Sequence, residues 1–140
     1  MYVLDTNHLT LLERGNADAL TLEIRLEKVP PGQVVTTIVN YEEQMRGWLE
    51  VAAKATTRER LLFSYQRLQV HIDTFNGVPL LPFNEAAVNC LEDLRKAKVN
   101  IGTMDLKIAA ICLAHDATLL TRNSSDFGKV PGLKAEDWSV

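Results

Sequence analysis

The first apolar run of the chain, Tyr2-Val3-Leu4, ends on a carboxylate: Asp5-Thr6-Asn7 follows at once, and helical spacing begins at Leu9, Leu12 and Glu13. A short strand that closes on an acid, where the chain turns into a helix, stands where open α/β sheets place their ligand crevice. Asp5 is therefore a candidate metal ligand. Glu43 and Asp105 occupy comparable junctions, and an oxygen-only donor set suits a hard cation, Mg²⁺ or Mn²⁺, rather than zinc. Three carboxylates crowded together repel and partly protonate unless a divalent cation holds them. The chemistry such a site supports is metal-assisted hydrolysis at a phosphate.

Each acid also has a purely structural reading. Ile108, Ala109, Cys112 and Leu113 lie at i+3, i+4, i+7 and i+8 from Asp105, which aims its carboxylate along a buried stripe, where a charge has to be paired, hydrogen-bonded or metal-bound. Equally, Thr103 or Asp105 could cap the helix, and an acid in a first turn is favoured by the helix dipole. Asn40-Tyr41-Glu42-Glu43 has capping-box spacing, and spacing by itself favours that reading for Glu43. Near the end, Thr121-Arg122-Asn123-Ser124-Ser125-Asp126-Phe127 offers further oxygen donors at the same sheet edge as Asp5, and is also a turn by composition.

The elements that position these residues alternate along the chain. A strand at Tyr2–Leu4 leads into a helix ending near Gly15, and a second helix, Ala17 to Val29, runs through Leu20, Ile24 and Leu26 and stops at Pro30-Pro31-Gly32. Val34–Thr37 reads as a strand, and a helix from about Val39 to Lys54 carries an apolar stripe of Tyr41, Met45, Trp48, Leu49 and Ala52. A capping box between Thr56 and Glu59 opens a helix to about Phe75, broken at Asn76-Gly77. Val78 to Phe83 reads as a strand, Asn84 caps the next helix, a loop at Asn100-Ile101-Gly102 precedes a helix from Met104 to His115, and Ala117–Thr121 and Leu133 to Trp138 complete the strands. Strands separated by helices cannot pair as hairpins, so the expectation is one α/β domain over residues 1–140, with a mostly parallel central sheet and helices on both faces.

Composition narrows the function classes. At 140 residues the chain is long enough to bury about two-thirds of its unfolded surface without staples. Cys90 and Cys112 have no cysteine neighbours and form no CxxC; they read as buried hydrophobes in a reducing cytosol. No apolar run approaches the ~20 residues of a membrane span, and no signal peptide precedes the first strand, so the expectation is a cytoplasmic protein whose start is Met1. The net charge of -3 excludes a general nucleic-acid sponge. It leaves room for an enzyme on nucleic acid, with Arg14, Arg46, Lys107 and Arg122 as candidate RNA contacts beside the acids, although each one alone reads as solvated surface. His8, His71 and His115 form no pair at useful spacing and read as surface or helix-end residues, which disfavours metal-free, histidine-based cleavage.

Taken in order, these motifs resemble the PIN-domain ribonucleases, and among them the VapC-type toxins of bacterial toxin–antitoxin pairs. The resemblance spans the chain. It rests on Met1-Tyr2-Val3-Leu4-Asp5-Thr6-Asn7, on Thr36-Thr37 followed by Glu43-Gln44-Met45-Arg46-Gly47, and on Asp105-Leu106-Lys107-Ile108-Ala109-Ala110. It continues through Leu120-Thr121-Arg122-Asn123 with Asp126-Phe127, and Val130-Pro131-Gly132-Leu133 before Trp138.

The resemblance implies a PIN-like three-layer fold, with Asp5, Glu43 and Asp105 as the acidic core that binds Mg²⁺ or Mn²⁺. The glycine four residues after Glu43 selects it over Glu42, reversing the reading from spacing. Many members carry a fourth acid where this chain has Asn123, so Asn123 or Asp126 is the further candidate metal ligand. Thr6, Asn7 and Thr103 are implied to orient the carboxylates by hydrogen bonds. The activity implied is metal-dependent endoribonuclease hydrolysis; the partners implied are an RNA substrate, a VapB-type antitoxin and a second copy of the chain in a homodimer, with the helices Ala17 to Val29 and Thr57 to Phe75 offering the antitoxin groove. Two other readings stay open: a PIN-like scaffold that binds RNA or protein without cutting, which intact Asp5 and Asp105 argue against and Asn123 keeps open, and a phosphotransferase of the haloacid-dehalogenase type. The latter wants a second acid two residues after the first, where this chain has Asn7.

Overall fold

The computed structural model describes all residues, Met1–Val140. The chain order is β1 (Tyr2–Leu4), α1 (Thr6–Arg14), a 3₁₀ turn (Ala17–Ala19), α2 (Leu20–Leu26), β2 (Val34–Thr37), α3 (Ile38–Lys54) and α4 (Arg58–Asn76). It continues with β3 (Leu80–Leu81), α5 (Glu85–Lys96), α6 (Thr103–Ala114), β4 (Thr118–Leu120), α7 (Ser124–Phe127) and β5 (Lys134–Glu136).

All five strands run parallel in the order β3-β2-β1-β4-β5. Tyr2 stands beside both Val34 and Thr118, so β1 is the centre of the sheet. Successive side chains point to opposite faces: Val3 and Leu119 join one buried cluster with α5, α6 and α7, whereas Leu4 and Leu120 join another with α1, α2, Phe75 and Trp138. That alternation is the three-layer arrangement the sequence predicts. The chain builds β2 and β3 on one side of β1 and then β4 and β5 on the other, so the strand order reverses at β1. Such a reversal opens a crevice beyond the carboxyl ends of the strands, and Asp5 is the residue that leaves β1.

Local boundaries follow from caps. Asp5 caps α1 through Thr6 N–H, and Gly15 closes it in the left-handed region at φ 58°. Asn84 caps α5 as expected, accepting from Ala87 N–H. The cap of α4 is Thr57, accepting from Arg60 N–H, not the Thr56–Glu59 box. The strand expected over Val78–Phe83 shrinks to Leu80–Leu81, because Pro79 and Pro82 on either side have no N–H for the ladder. None of the expected stripe on α3 is fully buried and Leu49 is 52% exposed; the buried positions of that helix are Val39 and Asn40, since it packs chiefly on α4 at the margin of the fold. The segment read as a turn after β4 contains α7. There Gly128 is required, because a Cβ would stand 2.8 Å from the Ser124 carbonyl oxygen. No helix is long and apolar enough to cross a membrane.

Both cysteines are free; burial pushes the Cys112 thiol up to about 12, and Cys90 is half-buried. The histidine expectation is corrected at two positions. His8 and His71 are fully buried, His8 on α1 against the C-terminal segment, His71 stacked on Tyr41 and tilted against Phe75. Burial holds both rings below the usual histidine range. In the unfolded chain these rings take up protons near pH 6.5, and in the folded chain only at lower pH, so acidification below about 6.5 favours the unfolded state. Their contribution is therefore present above that pH and lost beneath it. A His71→Phe variant, which keeps the aromatic stack, is expected to lose less melting temperature than the parent between pH 7.5 and 5.5. Equal losses in paired thermal melts would contradict this.

Candidate functional site

The carboxyl ends of β1 and β2 and the start of α6 face a cleft of about 460 Å³, lined by Asp5, Thr6, Asn7, Thr10, Leu11, Arg14, Glu43, Asp105, Arg122 and Asn123. Three acids far apart in sequence thus wall one cavity with a single apolar residue in its lining. The capping readings of Glu43 and Asp105 do not hold: Thr37 caps α3 by accepting from Asn40 N–H, and α6 begins after Gly102 with no side-chain cap.

Asp5 is held from three directions. Its Oδ1 accepts from Thr6 N–H at 2.9 Å and from Asn40 Nδ2 at 3.0 Å, and its Oδ2 accepts from Thr121 Oγ1 at 2.7 Å. Glu43 Oε1 accepts from Thr6 Oγ1 at 2.9 Å. Thr36 Oγ1 donates to the Leu4 carbonyl at 2.8 Å, tying β2 to the end of β1 just below the acid. Of these partners only Thr6 was legible. Asn40 and Thr121 were missed; the available signal was an amide three residues before Glu43, on the same helix face, and a threonine closing the expected strand Ala117–Thr121, one residue beyond the observed β4.

The other candidates are distributed unevenly. Asn7 accepts from His8 Nδ1 at 2.9 Å and from Arg122 N–H at 3.3 Å, so it braces the rim and does not touch the acids. Asn123 lines the cleft and donates to Asp126 Oδ2 at 3.2 Å, and Asp126 also pairs with Lys129 at 3.5 Å. Thr103 is exposed at the start of α6 and makes no hydrogen bond to a carboxylate. Arg14 and Arg122 flank the cleft, with Arg122 Nε donating to Ser139 Oγ at 3.0 Å. Arg46 and Lys107 are not part of it: Arg46 pairs with Glu42 at 2.7 Å one helical turn away, and Lys107 lies half-buried along α6.

Asp105 carries the electrostatic signature of the cleft. Its carboxyl is pushed up to about 6, first by burial and then by the negative charges of Asp5, Glu43 and Asp126. No three His, Cys, Asp or Glu side chains stand close enough together in this arrangement to hold a metal ion by themselves. Mg²⁺ in particular keeps several waters and takes one or two carboxylates rather than an all-protein cage. Oxygen-only donors and excess negative charge fit a hard divalent cation.

The raised carboxyl has a consequence for the metal-free protein. Between pH about 4 and 6 the folded chain keeps a proton on Asp105 that the unfolded chain has released, so stability falls as pH rises through that window and stays low above it. Asp105→Asn is expected to raise the melting temperature in EDTA at pH 7.5 by a few degrees, roughly the effect of about 1 kcal/mol in a domain of this size. That figure is discounted for solvent screening of a half-exposed site. The gain should vanish below pH 4, and a lower melting temperature at pH 7.5 would contradict the assignment of the strain to this carboxylate.

The chain is similar to known proteins over nearly its whole length. A curated ribonuclease VapC1 from Haemophilus influenzae is 24% identical over 148 residues, covering 99% of this chain and 98% of that protein. A ribonuclease VapC1 from Rickettsia felis is 39% identical over a 59-residue alignment that covers 39% of this chain and 44% of that protein. The solved structure of VapBC-1 from nontypeable Haemophilus influenzae superimposes with a TM-score of 0.78 at 24% identity, covering 99% of this chain and 98% of that one. The profile of the PIN domain matches residues 2–133, nearly the whole length, and the chain belongs to the PIN domain family.

Proposed function

We propose that this protein is a metal-dependent endoribonuclease, the toxin of a toxin–antitoxin pair, which hydrolyses RNA phosphodiester bonds in the cleft around Asp5. The observation that carries the reading is the convergence of Asp5, Glu43 and Asp105 on one cavity at the strand-order reversal, with the Asp105 carboxyl raised by burial first and then by the neighbouring acids. The names of the relatives, ribonuclease VapC, and the VapBC-1 complex agree with it.

In this reading Asp5, Glu43 and Asp105 would hold Mg²⁺ or Mn²⁺, with Asn123 or Asp126 as the further oxygen donor. When bound, the cation acidifies water and offsets the charge that develops on the scissile phosphate and the leaving oxygen. The chain's own work is orientation. Thr6 and Thr121 fix the acids through the hydrogen bonds above, and the Arg14 and Arg122 guanidiniums stand where phosphates flanking the cut would lie. Exposed apolar side chains on α2 (Leu20 and Ile24) and α4 (Leu61, Leu62, Phe63 and Tyr65) offer the surface that an antitoxin and a second copy of the chain would cover. In the same reading the protein acts in the cytoplasm.

Purified total RNA incubated with the antitoxin-free protein should give discrete fragments with Mg²⁺ or Mn²⁺ and none with EDTA; RNA left intact in both by folded protein would instead favour a binding scaffold, the reading to which Asn123 at an acidic position lends weight. Arg122→Ala is expected to raise KM several-fold with little change in kcat, and to lower the salt dependence of binding by about one counterion. Arg46→Ala, outside the cleft, should change neither. Equal effects from the two variants in salt-titrated binding would contradict the placement of the phosphates.

A further inference from the structure

The geometry points to Asn40 as the positioning residue that sets two metal-holding carboxylates, Asp5 and Glu43, in one fixed relation; this rests on the metal-dependent reading above. Asn40 is fully buried on α3. Its side-chain oxygen accepts from Thr37 Oγ1 at 2.6 Å, while Thr37 Oγ1 accepts from the Asn40 backbone N–H at 3.1 Å. The Thr37 proton is thereby committed to the Asn40 oxygen, which turns the Asn40 NH₂ toward the cleft. That NH₂ is a fork: one donor reaches Asp5 Oδ1 at 3.0 Å and the other reaches Thr6 Oγ1 at 3.2 Å. A hydroxyl has a single proton. With an N–H pointed into its oxygen, Thr6 aims that proton at Glu43 Oε1, 2.9 Å away.

One amide therefore sends a donor directly to the first acid and, through a relay, to the second. The helix does not require it, because Thr37 already caps α3. An apolar side chain beside Val39 would fill the space without the desolvation cost of a buried amide. An aspartate would have no donor and would set another negative charge against Asp5. Groups that orient metal-holding side chains are typically worth about 10–100-fold in metal affinity or activity.

The test is calorimetric titration of the full chain with Mn²⁺, paired with thermal melts, for the parent, Asn40→Ala, Asn40→Ser and an Asp5→Asn control. Asn40→Ala is expected to weaken Mn²⁺ binding by about 10–100-fold, with Asn40→Ser in between because its hydroxyl restores one donor. Unchanged Mn²⁺ affinity in Asn40→Ala, with only a lowered melting temperature, would reduce Asn40 to a structural residue and overturn the inference. If Asn40→Ala does not fold, Asn40→Ser decides: a weakened constant supports the role and a parental one overturns it. A parent that itself shows no saturable Mn²⁺ binding overturns the metal-dependent reading, and this inference falls with it.

Discussion

Replacing Asp5 with asparagine is expected to abolish metal-dependent RNA cleavage, lowering kcat/KM by more than about 100-fold, the upper end of what removing a mere orienting group costs at a metal site. The substitution conserves shape. Asn can still accept from Thr6 N–H and Asn40 Nδ2 through one oxygen, but its NH₂ replaces Oδ2, which now accepts from Thr121 Oγ1 at 2.7 Å. Two effects coincide: one negative charge leaves the cleft, and Thr121 faces a donor unless its hydroxyl turns. The fold should survive, because Asp5 adds no apolar contact to either buried cluster. Parental cleavage by Asp5→Asn would remove Asp5 from the chemistry, whereas lost cleavage accompanied by lost folding would assign it to structure; circular dichroism of the same preparation separates the two.

Truncating Phe127 to alanine is expected to cost about 3–5 kcal/mol, a large share of the roughly 5–15 kcal/mol that holds a domain folded. Phe127 is the largest fully buried side chain and reaches the cluster of α5 and α6 from a helix of only four residues. Nothing else anchors α7 so deeply. The same short helix carries Asp126 and follows Asn123, so loss of the anchor should loosen the rim of the cleft as well as the fold. The check is a urea titration: the midpoint should fall with an unchanged slope, and a loss under about 1 kcal/mol would show that the site collapses around the smaller side chain.

Much of the architecture was legible because local signals and the global fold agree. Strands separated by helices forced a parallel sheet, Asn84 and Gly15 marked helix ends, and Asp5 announced itself by closing a strand. The order β3-β2-β1-β4-β5 was not legible, since periodicity tells which residues pair with a core and not which strand lies beside which. The same gap hid Asn40 and Thr121, whose partner Asp5 is 35 and 116 residues away. Glu43 was misread by spacing as a helix-start residue, because Thr37, one turn earlier, offers an equally good cap and takes that position. His8 and His71 read as surface or helix-end residues because polarity is the only sequence cue; their burial depends on aromatic neighbours and on the C-terminal segment, where Trp138 N–H donates to His8 Nε2 at 3.2 Å.

The most direct test of the central claim is the chemistry of the cut ends. RNA fragments made by the antitoxin-free protein in Mn²⁺ would be analysed for their termini by enzymatic end-labelling and mass spectrometry. Water attacking in line at phosphorus leaves a 5′-phosphate on one fragment and a 3′-hydroxyl on the other, and those are the predicted ends. Fragments ending in a 2′,3′-cyclic phosphate would mean that the ribose hydroxyl was the nucleophile, and would contradict hydrolysis by the Asp5, Glu43 and Asp105 cleft.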